Sequence, residues 1–325
     1  MNFYEDIVNE LKAFFRLINP NVKFKNIIPP LPANLTNDLQ VDYSTRYLKH
    51  NASFLITRLL EFQTRHISCQ KRQVYISNEL QTKLADTSYH EFALVVSDIK
   101  KDLENGVDVN GRLSKKIDAV GKKKYYDIML YEWGLYHFHL GKDRDSTDSK
   151  YYKRSGELLI AYIPSLENIA YLVDISEDHY QDDTVFSRSR YLKIIDDNWP
   201  NVLAKYETRG IPLSYSLTDE QRHALRSHGV TAFNEVNGKI IMNPGLGITC
   251  AKTGLLQTFQ TNYLMRLIAK KERVCRGIQK KYVPKQIPEY LNYKLKFDRK
   301  DFLFYIVEYM PQKPPKIIDR IKLDY

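Results

Sequence analysis

The sequence predicts an α+β fold with a helical N-terminal region, a central antiparallel β-meander with helices, and a basic helical C-terminal region. Three observations carry that prediction. Apolar residues recur at helical spacing through the first hundred positions, three short runs of β-formers follow one another in the centre, and a long amphipathic stretch near the end holds most of the net charge. The implied regions are 1–106, 107–210 and 211–325.

Taken in order, Phe3, Ile7, Leu11, Phe14 and Phe15 mark a first helix that Asn19-Pro20 closes. IIPPLPANLTND reads as a connector. Asn37 or Asp38 then caps a long helix carrying Tyr47, Phe54, Leu55, Leu59, Leu60 and Phe62, and a third helix runs from His90 to Leu103 before Asn105-Gly106. Everything up to about residue 106 reads as helical. The character changes after GKKKYY at 121–126. WGLYHFHL, ELLIAYI and IAYLVDI are β-prone, and the polar loop KDRDSTDSKYYKRSG and the tighter PSLEN separate them as a meander requires. SRYLKIIDDNW reads as a helix ended by Pro200, and Asn237-Gly238 as a two-residue hairpin turn. A helix from Gly254 to Gln279 is expected to bury Leu256, Phe259, Tyr263, Leu267 and Ile268 and to show its cations on the other side. DFLFYIVEYM reads as a buried strand.

Composition excludes several classes. A chain of 325 residues, 43% hydrophobic and 27% charged, has the balance of an ordinary soluble protein with room for two domains. Cys69, Cys250 and Cys275 are far apart with no CxxC spacing, which argues against a disulfide framework or zinc knuckle and for a reducing, cytoplasmic setting. MNFYEDIVNE lacks a basic leader, and no apolar run approaches the ~20 residues of a membrane span, so no membrane partner is expected. Between Thr261 and Lys300 lie 12 Lys or Arg against 3 acids, which is +9 of the chain's +10. Such concentration suits a polyanion. Nucleic acid, with RNA favoured over DNA, is the expected partner, held by Lys270, Lys271, Arg273, Arg276, Lys280 and Lys281. The 24 tyrosines suit base stacking as well as core packing.

The candidate chemistry centres on YEWGLYHFHLG, Tyr131 to Gly141. On a strand, Trp133, Leu135, His137 and His139 would share one face, the two imidazoles ~7 Å apart. That separation admits a phosphate between a base and an acid, or one metal between two ligands, His137 and His139. Arg154 lies in the loop before ELLIAYI, while Asp174, Glu177, Asp178 and His179 follow the third strand. The expected catalytic set is His137, His139, Arg154 and His179, with no cofactor. GLGITCAKTG, 245–254, fits neither GxGxxG nor GxxxxGK[ST] and reads as a structural turn. GxSxG and HExxH are absent.

The succession LSKKI, WGLYHFHLG, RSGELL, VDISEDH and DNWP resembles a core found in uncharacterised bacterial proteins, and it spans roughly residues 110–200. In layout, a meander with histidines and basic residues at strand ends is similar to the RelE-like ribonuclease toxins, which cleave RNA without metal. The long basic loop departs from their tight hairpin. The resemblance implies an endoribonuclease of toxin or phage-defence type, with an antitoxin or regulatory protein as a possible partner. In it a histidine takes the ribose 2′-hydroxyl proton, Arg154 offsets phosphorane charge, and His179 or the other member of the pair protonates the leaving oxygen. RHALRSH, 222–228, is similar to the Arg-x5-His pattern of HEPN ribonucleases, although Gly229 would end its helix. The alternatives are a non-catalytic nucleic-acid-binding or regulatory protein and a metal-dependent hydrolase.

Overall fold

The computed structural model describes residues 1–23, 37–120, 127–165, 167–210, 213, 215–282, 292–310 and 313–321. In chain order it contains α1 (Phe3–Ile18), α2 (Asn37–Arg65), β1 (Gln73–Ile76), α3 (Asn78–Ala85), α4 (His90–Asn105), α5 (Ile128–Trp133), β2 (Leu135–His139), β3 (Leu158–Tyr162), β4 (Ile169–Ile175) and α6 (Arg190–Asn198). There follow α7 (Pro200–Ala204), α8 (Asp219–Ser227), β5 (Asn234–Val236), β6 (Lys239–Ile241), α9 (Leu255–Tyr282), β7 (Asn292–Asp298), β8 (Leu303–Tyr309) and β9 (Lys316–Ile321). The class is α+β, as the sequence predicts. The connector expected before residue 37, the capping side chains of Asn37 and Asp38, the GKKKYY run and the side chain of Lys281 lie outside what is described. No helix among the described residues is long and apolar enough to cross a membrane.

The chain divides into two compact units: Met1–Phe62, Val120–Lys123 and Gln257–Tyr325 form one, and Gln63–Ala119 with Lys124–Leu256 the other. This differs from the three consecutive regions expected from composition. The physical reason is long-range pairing, because the two ends of the chain share a core. In the first unit β7, β8 and β9 form an antiparallel sheet in that order, and α1 packs on β7. Tyr293, Leu295 and Phe297 alternate inward from β7 and meet Phe3, Ile7, Leu11 and Phe15 of α1. Each such side chain contributes roughly 1.5–3 kcal/mol. Asp6 accepts the Leu295 amide at 2.9 Å and Glu10 binds Lys296 at 2.8 Å, which sets the register of helix on strand.

The inward face of α9 is the expected one only at Leu267 and Ile268. Leu264, Met265, Ile268 and Cys275 are buried, while Phe259 and Tyr263 stand 55% and 46% exposed and Leu256 is also exposed. Polar residues occupy the remaining inward positions: Thr261 meets Thr57 at 2.9 Å, and Glu272 accepts the Phe3 amide at 3.1 Å. Those satisfied polar groups disguise the buried stripe in the sequence.

In the second unit the sheet order is β1-β4-β3-β2, with β2, β3 and β4 the predicted antiparallel meander. The parallel strand β1 lies within the stretch expected to be wholly helical. Tertiary pairing with β4 decides its state, since QVYI has β-formers but is too short to signal alone. Alternate residues cover both faces of the sheet. Phe138, Leu159, Ala161 and Leu172 pack with Val95, Val96 and Ile99 of α4, whereas Leu135, Leu158, Ile160 and Val173 pack with Tyr191, Leu192 and Ile195 of α6. Burial on both sides explains why β3 reads as an unbroken apolar run. Asn237 and Gly238 make the predicted β5–β6 turn with φ of 51° and 75°.

Candidate active site

Antiparallel pairing brings the end of β2, the start of β3 and the end of β4 to one edge of the sheet: His139 faces Leu158, and Leu159 faces Ile175. The flanking loops must therefore meet there. Ser155 locks the β2–β3 loop, its hydroxyl accepting from the Leu140 amide at 2.7 Å and donating to the Glu157 carbonyl at 2.6 Å. The His179 amide donates to the Gly156 carbonyl at 3.0 Å, tying the β4 exit to the same loop. A Cβ on residue 156 would lie 2.3 Å from the Asp178 carboxylate, so that side chain would have to shift to admit one.

His137, His139, Arg154 and His179 all line one cleft of about 490 Å³. The expected catalytic set comes from three separate segments and is brought together. Trp133 does not share their strand face, since it ends α5, and Gly134 at φ 72° then turns the chain into β2. Asp127, the N-cap of α5, accepts the Leu130 amide at 3.0 Å through one oxygen, and its other oxygen stands 3.6 Å from His137 Nδ1. That is an ion-pair separation, longer than a hydrogen bond. Burial holds the His137 imidazole below its ordinary value against the opposing pull of Asp127.

The three imidazoles differ. His139 is 2% exposed, and burial with the nearby Arg154 and His137 lowers its pKa to about 3. Its Nδ1 lies 3.2 Å from the Ser155 carbonyl, and its Nε2 has no hydrogen-bond partner among the described residues. It is neutral at any ordinary pH. His179 Nδ1 donates to the Gly156 carbonyl, which places the proton there in the neutral ring and leaves Nε2 as the basic nitrogen. The His179 ring lies 5.8 Å from that of His139, and Phe186 stands edge-on to His137 and His179 at 5.3 and 5.7 Å. Arg154 is exposed, its Nε donating to the Tyr180 hydroxyl at 3.4 Å.

Sequence reasoning missed the opposite wall. His223, Arg226 and Ser227 of α8, with Asp183, Phe186 and Ser187, also line the cleft, and Lys116 joins Arg154 and Arg226 among its cations. Arg226 is 3% exposed, ion-paired to the buried Glu132, bonded to the Phe186 carbonyl, and stacked 4.0 Å over Trp133. Burial pushes Glu132 up and Arg226 opposes that shift. His223 Nε2 stands 3.6 Å from Asp183 at the rim. The signal for this wall lay in RHALRSH, but not as Arg-x5-His: Arg222 is buried on Asn234 at 2.6 Å, while His228 is exposed and bonded to the Ala224 carbonyl. Asp174 is not part of the cleft lining, and it pairs with Lys83 at 2.7 Å and Arg190 at 3.1 Å.

The glycine-rich 245–254 stretch is a structural turn. Its amides are engaged internally, Gly245 to the Glu132 carbonyl and Gly247 to the Tyr131 carbonyl at 2.9 Å each. Among the described residues, no group of three or more His, Cys, Asp or Glu is placed to hold a metal, so the metal reading of His137 and His139 lacks a third ligand there. Of the expected nucleic-acid contacts, Lys270, Arg273 and Lys280 are exposed on α9, whereas Lys271 pairs with Asp319 at 2.5 Å and Arg276 with Glu272. Comparison with family models, curated proteins and solved structures finds no match to this chain.

Proposed function

We propose that the cleft is the centre of a metal-independent endoribonuclease. The observation that carries this reading is the convergence of His137 on β2, Arg154 in the β2–β3 loop and His179 beyond β4 into one cavity. His137, kept neutral by burial and faced by Asp127, takes the proton of a ribose 2′-hydroxyl. The 2′-oxygen attacks phosphorus, and Arg154 with Lys116 offsets the charge on the phosphorane. His179, entering the step as the imidazolium, gives its Nε2 proton to the 5′-oxygen as the bond from that oxygen to phosphorus breaks, and is left neutral with Nδ1–H still on the Gly156 carbonyl. The products are a 2′,3′-cyclic phosphate and a 5′-hydroxyl. His139, with its pKa near 3, takes no part in proton transfer and supports the His179 side of the cleft.

RNA is the favoured partner of the basic C-terminal helix. A toxin or phage-defence role, and an antitoxin or regulatory partner, rest on the resemblance alone. The exposed cations of α9 favour a second reading, a nucleic-acid-binding protein without turnover. Incubating the protein with mixed RNA and DNA, with and without EDTA, separates the two. The enzyme reading predicts RNA cleavage that survives EDTA and vanishes in His137→Ala. Binding to RNA with both nucleic acids left intact would favour the second reading.

A further inference from the structure

The outward face of α9 is more specific than a basic patch. Phe259, Tyr263, Arg266, Lys270, Arg273, Gly277 and Lys280 are all exposed and are spaced by four and three residues in alternation. At 3.6 residues per turn these positions fall on one stripe, opposite the buried Leu264, Ile268 and Cys275, and the stripe runs ~30 Å. Two aromatic rings occupy its N-terminal end and four cations follow. Glu272 is the one acid in α9, and it is buried on the opposite side. The Nε atoms of Arg266 and Arg273 donate to the carbonyls one turn back, Asn262 at 3.2 Å and Ala269 at 3.4 Å, which fixes each stem along the helix. Among the described residues, no carboxylate pairs with Arg266, Lys270, Arg273 or Lys280. Gly277 leaves room for a backbone to approach between Arg273 and Lys280.

We infer that this stripe binds single-stranded nucleic acid, its cations tracking phosphates while Phe259 and Tyr263 stack on unpaired bases. The inference rests on the nucleic-acid reading above and goes beyond it. It names the strandedness of the ligand, rests on Arg266, Lys270, Arg273 and Lys280 without Lys271, Arg276 and Lys281, and adds the two rings. A duplex presents phosphates but no open base faces, so it uses only the charged part of the stripe. A membrane surface is disfavoured because an interfacial helix needs a broad apolar face, and here the broad apolar face is buried in the core.

The test uses the full chain and a labelled, fully 2′-O-methylated RNA of about 20 nucleotides, which cannot be cleaved, beside its duplex. Phe259→Ala/Tyr263→Ala should weaken single-strand binding about tenfold or more and leave duplex binding within about twofold. Arg266→Gln/Lys270→Gln/Arg273→Gln should weaken both and lower the single-strand salt slope by about 2. Equal loss of single strand and duplex in the aromatic variant, or no loss in either variant, overturns the inference. So does binding of phosphatidylserine vesicles that the aromatic variant abolishes, or an oligomer that it dissociates. Because the probe resists cleavage, failure here is distinguishable from failure of the endoribonuclease reading, which is judged by turnover.

Discussion

The cleft at the sheet edge and the outer stripe of α9 both present cations, yet they are built on opposite physical terms. In the cleft, titratable groups from a strand, a helix and their connecting loops converge, and burial pulls His137 and His139 below their ordinary values. Along the outer stripe of α9 the charges of Arg266, Lys270, Arg273 and Lys280 are exposed and follow one another at helical spacing. Convergence with desolvation suits proton transfer at a single phosphate, because it sets protonation states and holds donors at fixed positions. Extended, exposed charge suits holding a polymer. The contrast teaches that net charge finds the second kind of surface and is blind to the first.

If the contrast holds, substitutions in the two places separate turnover from binding. The largest effect is expected for His137→Ala and His179→Ala, each lowering kcat about 10²- to 10⁴-fold with little change in RNA affinity. Single-turnover cleavage beside binding on the uncleavable RNA measures both. A matching loss of affinity would dissolve the distinction. Arg226→Met leaves Glu132 buried without its partner and should cost about 3–5 kcal/mol of stability, read by urea denaturation at neutral pH. The stripe has no such buried pair on its surface, so its variants should unfold like the parent. Gly156→Ala drives a methyl into the Asp178 carboxylate and should cost about 1–3 kcal/mol while displacing the His179 anchor, with a fall in kcat larger than in affinity.

The last effect is a slope with pH. His139 has a folded pKa near 3, below its unfolded value of about 6.5, so the unfolded chain binds the extra proton first. Its stabilising neutrality is therefore complete above about 6.5 and is lost as pH falls toward 3, at about 1.4 kcal/mol per unit. His137 adds in the same direction. Urea titrations between those limits should show the parent losing stability faster than His139→Gln. Equal slopes would mean that the imidazole is not held neutral.

Much of the fold was legible in the sequence, and particular residues show why the rest was not. The meander, the Asn237-Gly238 turn and α4 with its Gly106 cap follow local rules of alternation, turn chemistry and capping. The strand β1 depends on pairing with β4, whose partners lie far along the chain (Gln73 faces Ile169 and Ile76 faces Leu172), and no local rule sees that. The buried face of α9 was misread because Gln257, Thr261 and Glu272 sit inward, which patterning alone counts as outward. In the candidate site, His137, His139, Arg154 and His179 were visible as polar residues at strand ends. Asp127, His223 and Arg226 were not, because their place in the cleft depends on how α5 and α8 pack against the sheet.

The most direct test of the account is cleavage, in EDTA, of an RNA and of the same RNA carrying 2′-O-methyl groups throughout. Internal attack predicts that the first is cut to 2′,3′-cyclic phosphate and 5′-hydroxyl ends and the second is untouched although still bound. Cutting of the methylated strand, or 5′-phosphate ends on the first, would contradict a nucleophile supplied by the ribose and with it the roles given to His137 and His179.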